Sequence, residues 1–493
     1  MLEKIKRLGT ETAIYGISTI LGRFLTFILT PIYTHFLVPD DLGVVATVYS
    51  YVAFFNVVYA YGMEGAFMKY FSTLEIGVKK ENFTVPFFSV LVTSVALTLI
   101  VLWQRDPLAQ LIKVPGQFAM IIGYAGWILC LDAITVIPFA SLRMERKAKV
   151  FVSVRLTSIV VNVLLNILFL TQYHMGVEGI FLSGLISSGL ALVLLVPHIR
   201  ANISWRWPEG LLPALLRFGL PSVPAGLATM MIQVIDRPIL ESLSGKAAVG
   251  IYQANYRLGI FMMLVVSMFD FAWRPFFFSH AGDPDARRLF ARVLTYFSLL
   301  TSLIFLILSF FLGEIVKVPI FWGHSLVAEP YWVGLSIVPV VLLAYLFLGV
   351  YNNLLAGIFI EKKTSQLPVV TFAGAIVNVV ANFLLIPHLG LMGAALSTLA
   401  AYVVMAVVLY AMVNRFYPVP YEWGRIAKIA LSAAVVFALF LFVDAGRFEL
   451  LWKFGLVCLF VGLMYAMKFF IPSEVAILSR LFSRRGDTPT DGG

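Results

Sequence analysis

Long apolar runs, each about the length of a membrane crossing and separated by short polar turns, follow one another along nearly the whole chain. A helix needs about 20 apolar residues to cross roughly 30 Å of hydrocarbon. On that measure the pattern predicts fourteen transmembrane helices, near 11–37, 42–71, 84–103, 118–141, 151–171, 177–197, 212–241, 246–279, 289–312, 331–358, 366–386, 391–412, 424–443 and 449–471. The segment from Ser483 onward is polar and rich in Gly, which predicts a disordered end.

A second pattern lies over the first. Pro31 and Pro238 are 207 residues apart, as are Gly43 and Gly250. Glu145-Arg146-Lys147 recurs as Glu361-Lys362-Lys363 at an offset of 216, and Asn162 and Asn166 recur as Asn378 and Asn382 at that same offset. Gly176, Gly179 and Ser183 then return as Gly390, Gly393 and Ser397, 214 residues on. An ordered series of this kind marks an internal duplication, and duplicated hydrophobic chains are most often transporters with a site between the copies. Six spans per copy is an even number, so both copies enter the membrane in the same sense. The expected architecture is an all-α polytopic membrane protein of two parallel six-helix repeats around a central cavity, plus two C-terminal helices. Its parts are an N-terminal lobe (1–205), a C-terminal lobe (206–418), helices thirteen and fourteen (419–472), and a cytoplasmic tail (473–493).

Composition agrees with a bilayer environment. Of 493 residues, 60% are hydrophobic and 13% charged, and the mean hydropathy of +0.93 excludes an ordinary soluble globular protein. Lys and Arg collect on one set of loops: Lys4 to Arg7, Lys79-Lys80, Arg143 to Lys149, Arg200 to Arg217, Arg287 to Arg292, Lys362-Lys363, Arg415 to Lys428 and Arg480 to Arg485. The positive-inside rule makes those loops cytoplasmic and, with fourteen spans, both termini as well. The +10 net charge is then a topology signal with lipid headgroups as secondary partners, and nucleic acid is not needed to explain it. The first apolar run has no small-residue cleavage site, so it is expected to remain as the first helix. Cys130 and Cys458 both fall inside predicted helices, the six histidines are scattered, and neither a disulfide framework, a metal site nor a cofactor is expected.

Ionisable groups within spans carry the chemistry, because each costs roughly 2.5–3.5 kcal/mol on insertion scales and requires a partner or a wet cavity. In helix one, Thr12, Tyr15, Thr19, Arg23, Thr26, Thr30 and Tyr33 follow at spacings of three or four and form one polar face around Arg23. A structural Arg paired with a neighbouring carboxylate would account for Arg23 alone; the length of the face favours a cation lining a cavity. Helix seven places Thr229, Gln233 and Asp236 together, next to Arg237 and Pro238. Helix eight supplies Gln253 and Arg257, then Asp270 and Arg274. Asp236 either neutralises Arg237 or Arg257 or acts directly. Glu64 and Lys69 stand near the inner end of helix two, and Asp132 is isolated in helix four. Arg23, Arg237 and Arg257 outnumber the certain carboxylates at membrane depth, which favours an anionic ligand. Guanidinium groups bind phosphate oxygens in pairs, whereas an organic cation would call for carboxylates and aromatics.

These residues carry a resemblance. Gly22-Arg23, the block Tyr61-Gly62-Met63-Glu64-Gly65-Ala66-Phe67-Met68-Lys69-Tyr70-Phe71, Asp236-Arg237, Gly250-Ile251-Tyr252, Ala272-Trp273-Arg274-Pro275-Phe276-Phe277 and the Gly-x-x-Gly helix starts at Gly176 and Gly390 are similar to the polysaccharide transporter branch of the multidrug/oligosaccharidyl-lipid/polysaccharide exporter superfamily. The chain differs from the expected pattern at Gly65 and Lys69. The resemblance implies a flippase that moves undecaprenyl-pyrophosphate-linked oligosaccharide to the periplasmic leaflet for O-antigen or exopolysaccharide synthesis, in company with membrane lipids and polysaccharide polymerase machinery. Arg23, Arg237 and Arg257, with Glu64, Lys69 and Arg274, would bind substrate. Glu64, Asp236 and Asp270 are candidates for coupling to a proton or sodium gradient or to membrane potential. A lipid II flippase and a cation-coupled multidrug antiporter share the fold expected here. A membrane glycosyltransferase or polymerase would need a catalytic cluster in a sizeable loop, and none is visible, so no enzymatic activity is expected.

Overall fold

A computed structural model describes residue 16 and residues 20–321, 323–443 and 446–470. The first part of helix one, Trp322 and the whole C-terminal tail therefore lie outside the described residues. The fold is all-α apart from a small hairpin, Pro319–Phe321 with His324–Ser325. Thirteen helices among the described residues are long and apolar enough to cross a membrane. Preceded by the described end of the first predicted span, α1 (Leu29–Phe36), they are α2 (Pro39–Thr73), α3 (Lys79–Trp103), α4 (Gly116–Met144), α5 (Ala148–Thr171), α6 (Gly176–Asn202), α7 (Leu211–Val234), α8 (Lys246–His280), α9 (Ala286–Phe310), α10 (Glu329–Ile360), α11 (Thr364–Leu389), α12 (Leu391–Val413), α13 (Trp423–Phe442) and α14 (Gly446–Ala466). Two compact units result. One runs to Pro275 and resumes over Ile315–Val413; the other takes Phe276–Glu314 and continues from Asn414.

The duplicated residues share local geometry. Helix one turns at Ile28, three residues before Pro31, and helix seven turns at Ile235, three residues before Pro238. Proline removes one backbone donor and crowds the carbonyl four residues earlier, so both helices are interrupted at the same place. Asn166 donates to the Asn162 carbonyl at 2.8 Å and to its side-chain oxygen at 3.2 Å; Asn382 repeats both bonds to Asn378 at the same distances. Arg146 and Lys362 both adopt positive φ, of 56° and 54°, at equivalent turns. Ser183 and Ser397 bond back to the Gly179 and Gly393 carbonyls at 2.7 and 2.8 Å.

Within the larger unit, α2 crosses α8 at its Pro39 end and α7 at its other end. A Cβ on Gly43 would overlap the Lys246 carbonyl, and one on Gly250 would overlap the Pro39 carbonyl. These repeat-related glycines let two backbones touch, the use small residues have in membrane packing. Where α2 meets α7, a Cβ on Gly62 would overlap the Gly219 carbonyl, and Tyr61 and Gly62 at positive φ break the helix there. The hairpin region packs over the Pro39 end: Tyr331 donates to the Leu37 carbonyl at 2.8 Å, and the Ala328 amide to the Thr34 hydroxyl at 3.2 Å.

In the smaller unit, Lys453 is 4% exposed and bonds Glu314 at 2.6 Å and Glu449 at 2.7 Å. Phe310 stacks against Phe437 and Phe440 between α9 and α13.

Candidate functional site

The interior of the larger unit holds three adjoining cavities. A central one of about 560 Å³ is walled by residues 22–27 of helix one, by α5 and by α8, and Arg23, Arg155, Arg237 and Arg257 all line it. A second, of about 710 Å³, lies toward α7, α10, α11 and α12 and shares Arg23, Tyr256, Met263 and Tyr345 with the first. A third, of about 530 Å³, lies toward α2, α4 and α6 and shares Thr26, Arg155 and Ile159 with the first. Each is within the size range of ligand pockets. Arg23 thus stands at one boundary of the central cavity and Arg155 at the other.

Helix geometry aims these groups. Arg257 begins a 3-10 segment, Arg257–Gly259, between the two α-helical parts of α8. Such a step within a helix often marks a hinge. The Arg257 guanidinium lies 5.0 Å from the centre of the Tyr33 ring. Arg23 donates to the Ser267 hydroxyl at 2.7 Å. Arg155 faces the Phe139 ring at 6.0 Å. None of these three makes an ion pair among the described residues, so three permanent cations face connected cavities without a carboxylate partner. Opposite unit charges 4 Å apart attract by about 4 kcal/mol at an effective dielectric of 20, so an anion entering here is strongly favoured over a cation.

Arg237 behaves differently. Its guanidinium bonds Asp236 at 2.6 Å and the Gln253 side chain at 3.1 Å, and reaches back to the Gln233 carbonyl. Tyr252 donates to the other Asp236 oxygen at 2.6 Å, so both oxygens of that carboxylate are engaged. Asp236 and Arg237 are 1% and 6% exposed, a buried pair at the edge of the central cavity. Of the two roles open to Asp236, the geometry has it neutralising Arg237.

The other predicted site residues fall as follows. Asp270 and Arg274 line the second cavity and pair with each other at 3.2 Å. Glu64 lines the third cavity and is bonded by Arg143. Lys69 pairs with Glu75 at 3.6 Å and lies over Tyr70 and Phe218, at 4.7 and 5.0 Å. Asp132, in the third cavity, accepts a 2.7 Å bond from Ser188 and has no ion pair among the described residues. Sequence reasoning missed Arg155. It lies seven residues into α5, close behind the basic loop that ends at Lys149, and so reads as one more loop cation; its isolation within the apolar run was the available signal. Also missed were Tyr256, Tyr345 and Tyr402, whose hydroxyl-bearing rings line the second cavity.

Comparison with known proteins bears on this arrangement. A lipid II flippase, MurJ, in an inward closed conformation superposes with a TM-score of 0.73 at 16% identity, covering 93% of this chain and 100% of that one. An inward-facing multidrug resistance MATE family transporter of the MOP superfamily gives 0.63 at 14% identity, covering 80% and 94%. An outward-facing structure of a transporter of that family gives 0.60 at 14%, covering 83% and 95%. At such identities the likeness shows a shared fold. No curated protein matches the chain. A model of the family described as polysaccharide biosynthesis protein matches residues 32–324, more than half of the chain; that range includes α2 to α8 and every residue lining the central cavity except Gly22, Arg23, Thr26, Phe27 and Tyr345. With that match, the chain belongs to the polysaccharide biosynthesis protein family.

Proposed function

We propose that the protein is a flippase for undecaprenyl-pyrophosphate-linked oligosaccharide repeat units, carrying them across the bacterial cytoplasmic membrane for O-antigen or exopolysaccharide synthesis. The observation that carries this reading is the set of guanidinium groups, Arg23, Arg155 and Arg257, that make no ion pair among the described residues and face adjoining cavities. A pyrophosphate cannot enter hydrocarbon without replacement for its water shell, and Arg supplies paired donors in a rigid fork. The family assignment supports the glycan part of the reading. A multidrug antiporter fits less well, because among the described residues a cationic drug would meet three arginines without an ion-pair partner against one such carboxylate, Asp132. Transport runs by alternating access, with both termini cytoplasmic and a proton, sodium ion or potential supplying direction through Glu64, Asp236 or Asp270. Their ion pairs with Arg143, Arg237 and Arg274 would then open and re-form during the cycle.

The test reconstitutes the full chain in liposomes with a fluorescent undecaprenyl-pyrophosphate oligosaccharide and follows its movement between leaflets. Flipping by the wild type that Arg23→Ala and Arg257→Ala abolish, in protein that still folds, is the expected result. No flipping, with transport of an organic cation down an ion gradient, would overturn it.

A further inference from the structure

We propose that the third cavity is a glycan subsite: it receives the sugar rings next to the pyrophosphate while the phosphates sit among Arg23, Arg155 and Arg257. This rests on the flippase reading and adds where the saccharide goes. The cavity adjoins the arginine cavity through Thr26, Arg155 and Ile159, so a ligand whose phosphates lie in one extends naturally into the other.

The chemistry of its wall selects the occupant. Asn56 lines it and makes no side-chain hydrogen bond among the described residues. The Asp132 carboxylate accepts one bond, from Ser188 at 2.7 Å, and its second oxygen has no partner among the described residues. Asn162 spends one amide donor on Ser187 at 3.2 Å. An isoprenoid tail here would leave these groups desolvated, which is costly for each. An inorganic cation needs several oxygens of net negative charge. Asp132 is the one carboxylate in this wall without a cation partner, since Glu64 is held by Arg143, and Arg155 adds positive charge nearby. Vicinal sugar hydroxyls, each both donor and acceptor, match a carboxylate, an amide and a guanidinium together. Phe139 and Phe151, edge to face at 5.2 Å, add an apolar surface for the C–H face of a ring. In the other polar cavity the one carboxylate, Asp270, is already paired with Arg274, so beside Arg23 it offers no free acceptor.

The experiment compares two fluorescent probes in liposomes: undecaprenyl pyrophosphate bearing the oligosaccharide, and sugar-free undecaprenyl pyrophosphate. Asp132→Asn keeps the side-chain volume, and Asn56→Ala is a second, independent variant. Each is expected to slow the glycan-bearing probe about tenfold, the scale of one hydrogen bond to a charged or polar group, while the sugar-free probe changes less than about twofold. Equal loss for both probes, no loss for either, or a changed proton or sodium dependence with an unchanged ratio between probes would each overturn the subsite. If the wild type moves neither probe, the transport reading fails by itself. Saturation-transfer NMR with the free oligosaccharide and the purified protein then decides the subsite: signal lost in Asp132→Asn upholds it, and signal absent or unaltered removes it.

Discussion

Among single side chains, what separates a ligand-facing arginine from a structural one is its partner. Arg237 and Arg257 are twenty residues apart and both line the central cavity, yet one is held by Asp236, Gln253 and a carbonyl while the other lies against the face of Tyr33 and makes no ion pair among the described residues. Two predictions follow from that contrast. Arg257→Ala should leave thermal stability in detergent within about 1 kcal/mol, as expected where no buried pair is broken, and yet lower flipping by tenfold or more; Arg257→Lys should recover only part, because an ammonium lacks the paired donors. A matched loss of stability and transport would make Arg257 structural. Asp236→Asn, in contrast, strands a buried guanidinium and should cost about 3 kcal/mol of stability, read as a fall in melting temperature. An unchanged melting temperature would mean that the pair is not what holds Arg237 in place.

Helices set where those side chains can meet. The crossing of α2 and α8 depends on Gly43 and Gly250, each against a backbone carbonyl of the other helix. Val at Gly250 should force the helices apart and admit solvent from the Pro39 end. The check is a cysteine placed at Ser267, on the wall of the second cavity, in a Cys458→Ser background. Its reaction with a membrane-impermeant maleimide should rise several-fold over the same chain with Gly250 intact; an unchanged rate would show that the crossing is not a seal. The two interrupted helices belong to this level too. The sequence pairs Pro31 with Pro238 as marks of the duplication, and both helices are interrupted three residues before them because proline acts on its own helix. That α8 would pass through a 3-10 step at Arg257 was not visible, since Arg257-Leu258-Gly259 has no breaker stronger than one glycine and the step accompanies packing of Gly259 against Val341 and Tyr345.

For the molecule as a whole, the expected behaviour is coupling. In proteoliposomes with an imposed proton gradient, sodium gradient or potential, flipping should respond to one of the three, and Glu64→Gln, Asp236→Asn or Asp270→Asn should blunt that response. A response that survives all three substitutions, made singly and then together, would exclude these carboxylates as carriers. The reading also makes transport a property of the connected cavities rather than of any one helix, so losses from Arg23→Ala and Arg257→Ala should be less than additive if both hold one pyrophosphate.

Membrane character, span positions after the first helix and the repeat register were legible in the chain itself. Each depends on local facts: the length of an apolar run against the thickness of a bilayer, or the conformation a proline or a glycine imposes on its own neighbours. Asn162-Asn166 and Asn378-Asn382 could be matched on paper and have matching geometry because their bonds close within one turn. Pairing across helices could not be read that way. That Arg237 is ion-paired while Arg155 has no ion pair among the described residues, that Glu64 answers to Arg143, and that Asp132 is left facing a polar cavity are outcomes of which helices pack together. Charge neutralisation falls off over a few ångströms, and residues such as Glu64 and Arg143, 79 positions apart, come within that distance only once the bundle has formed.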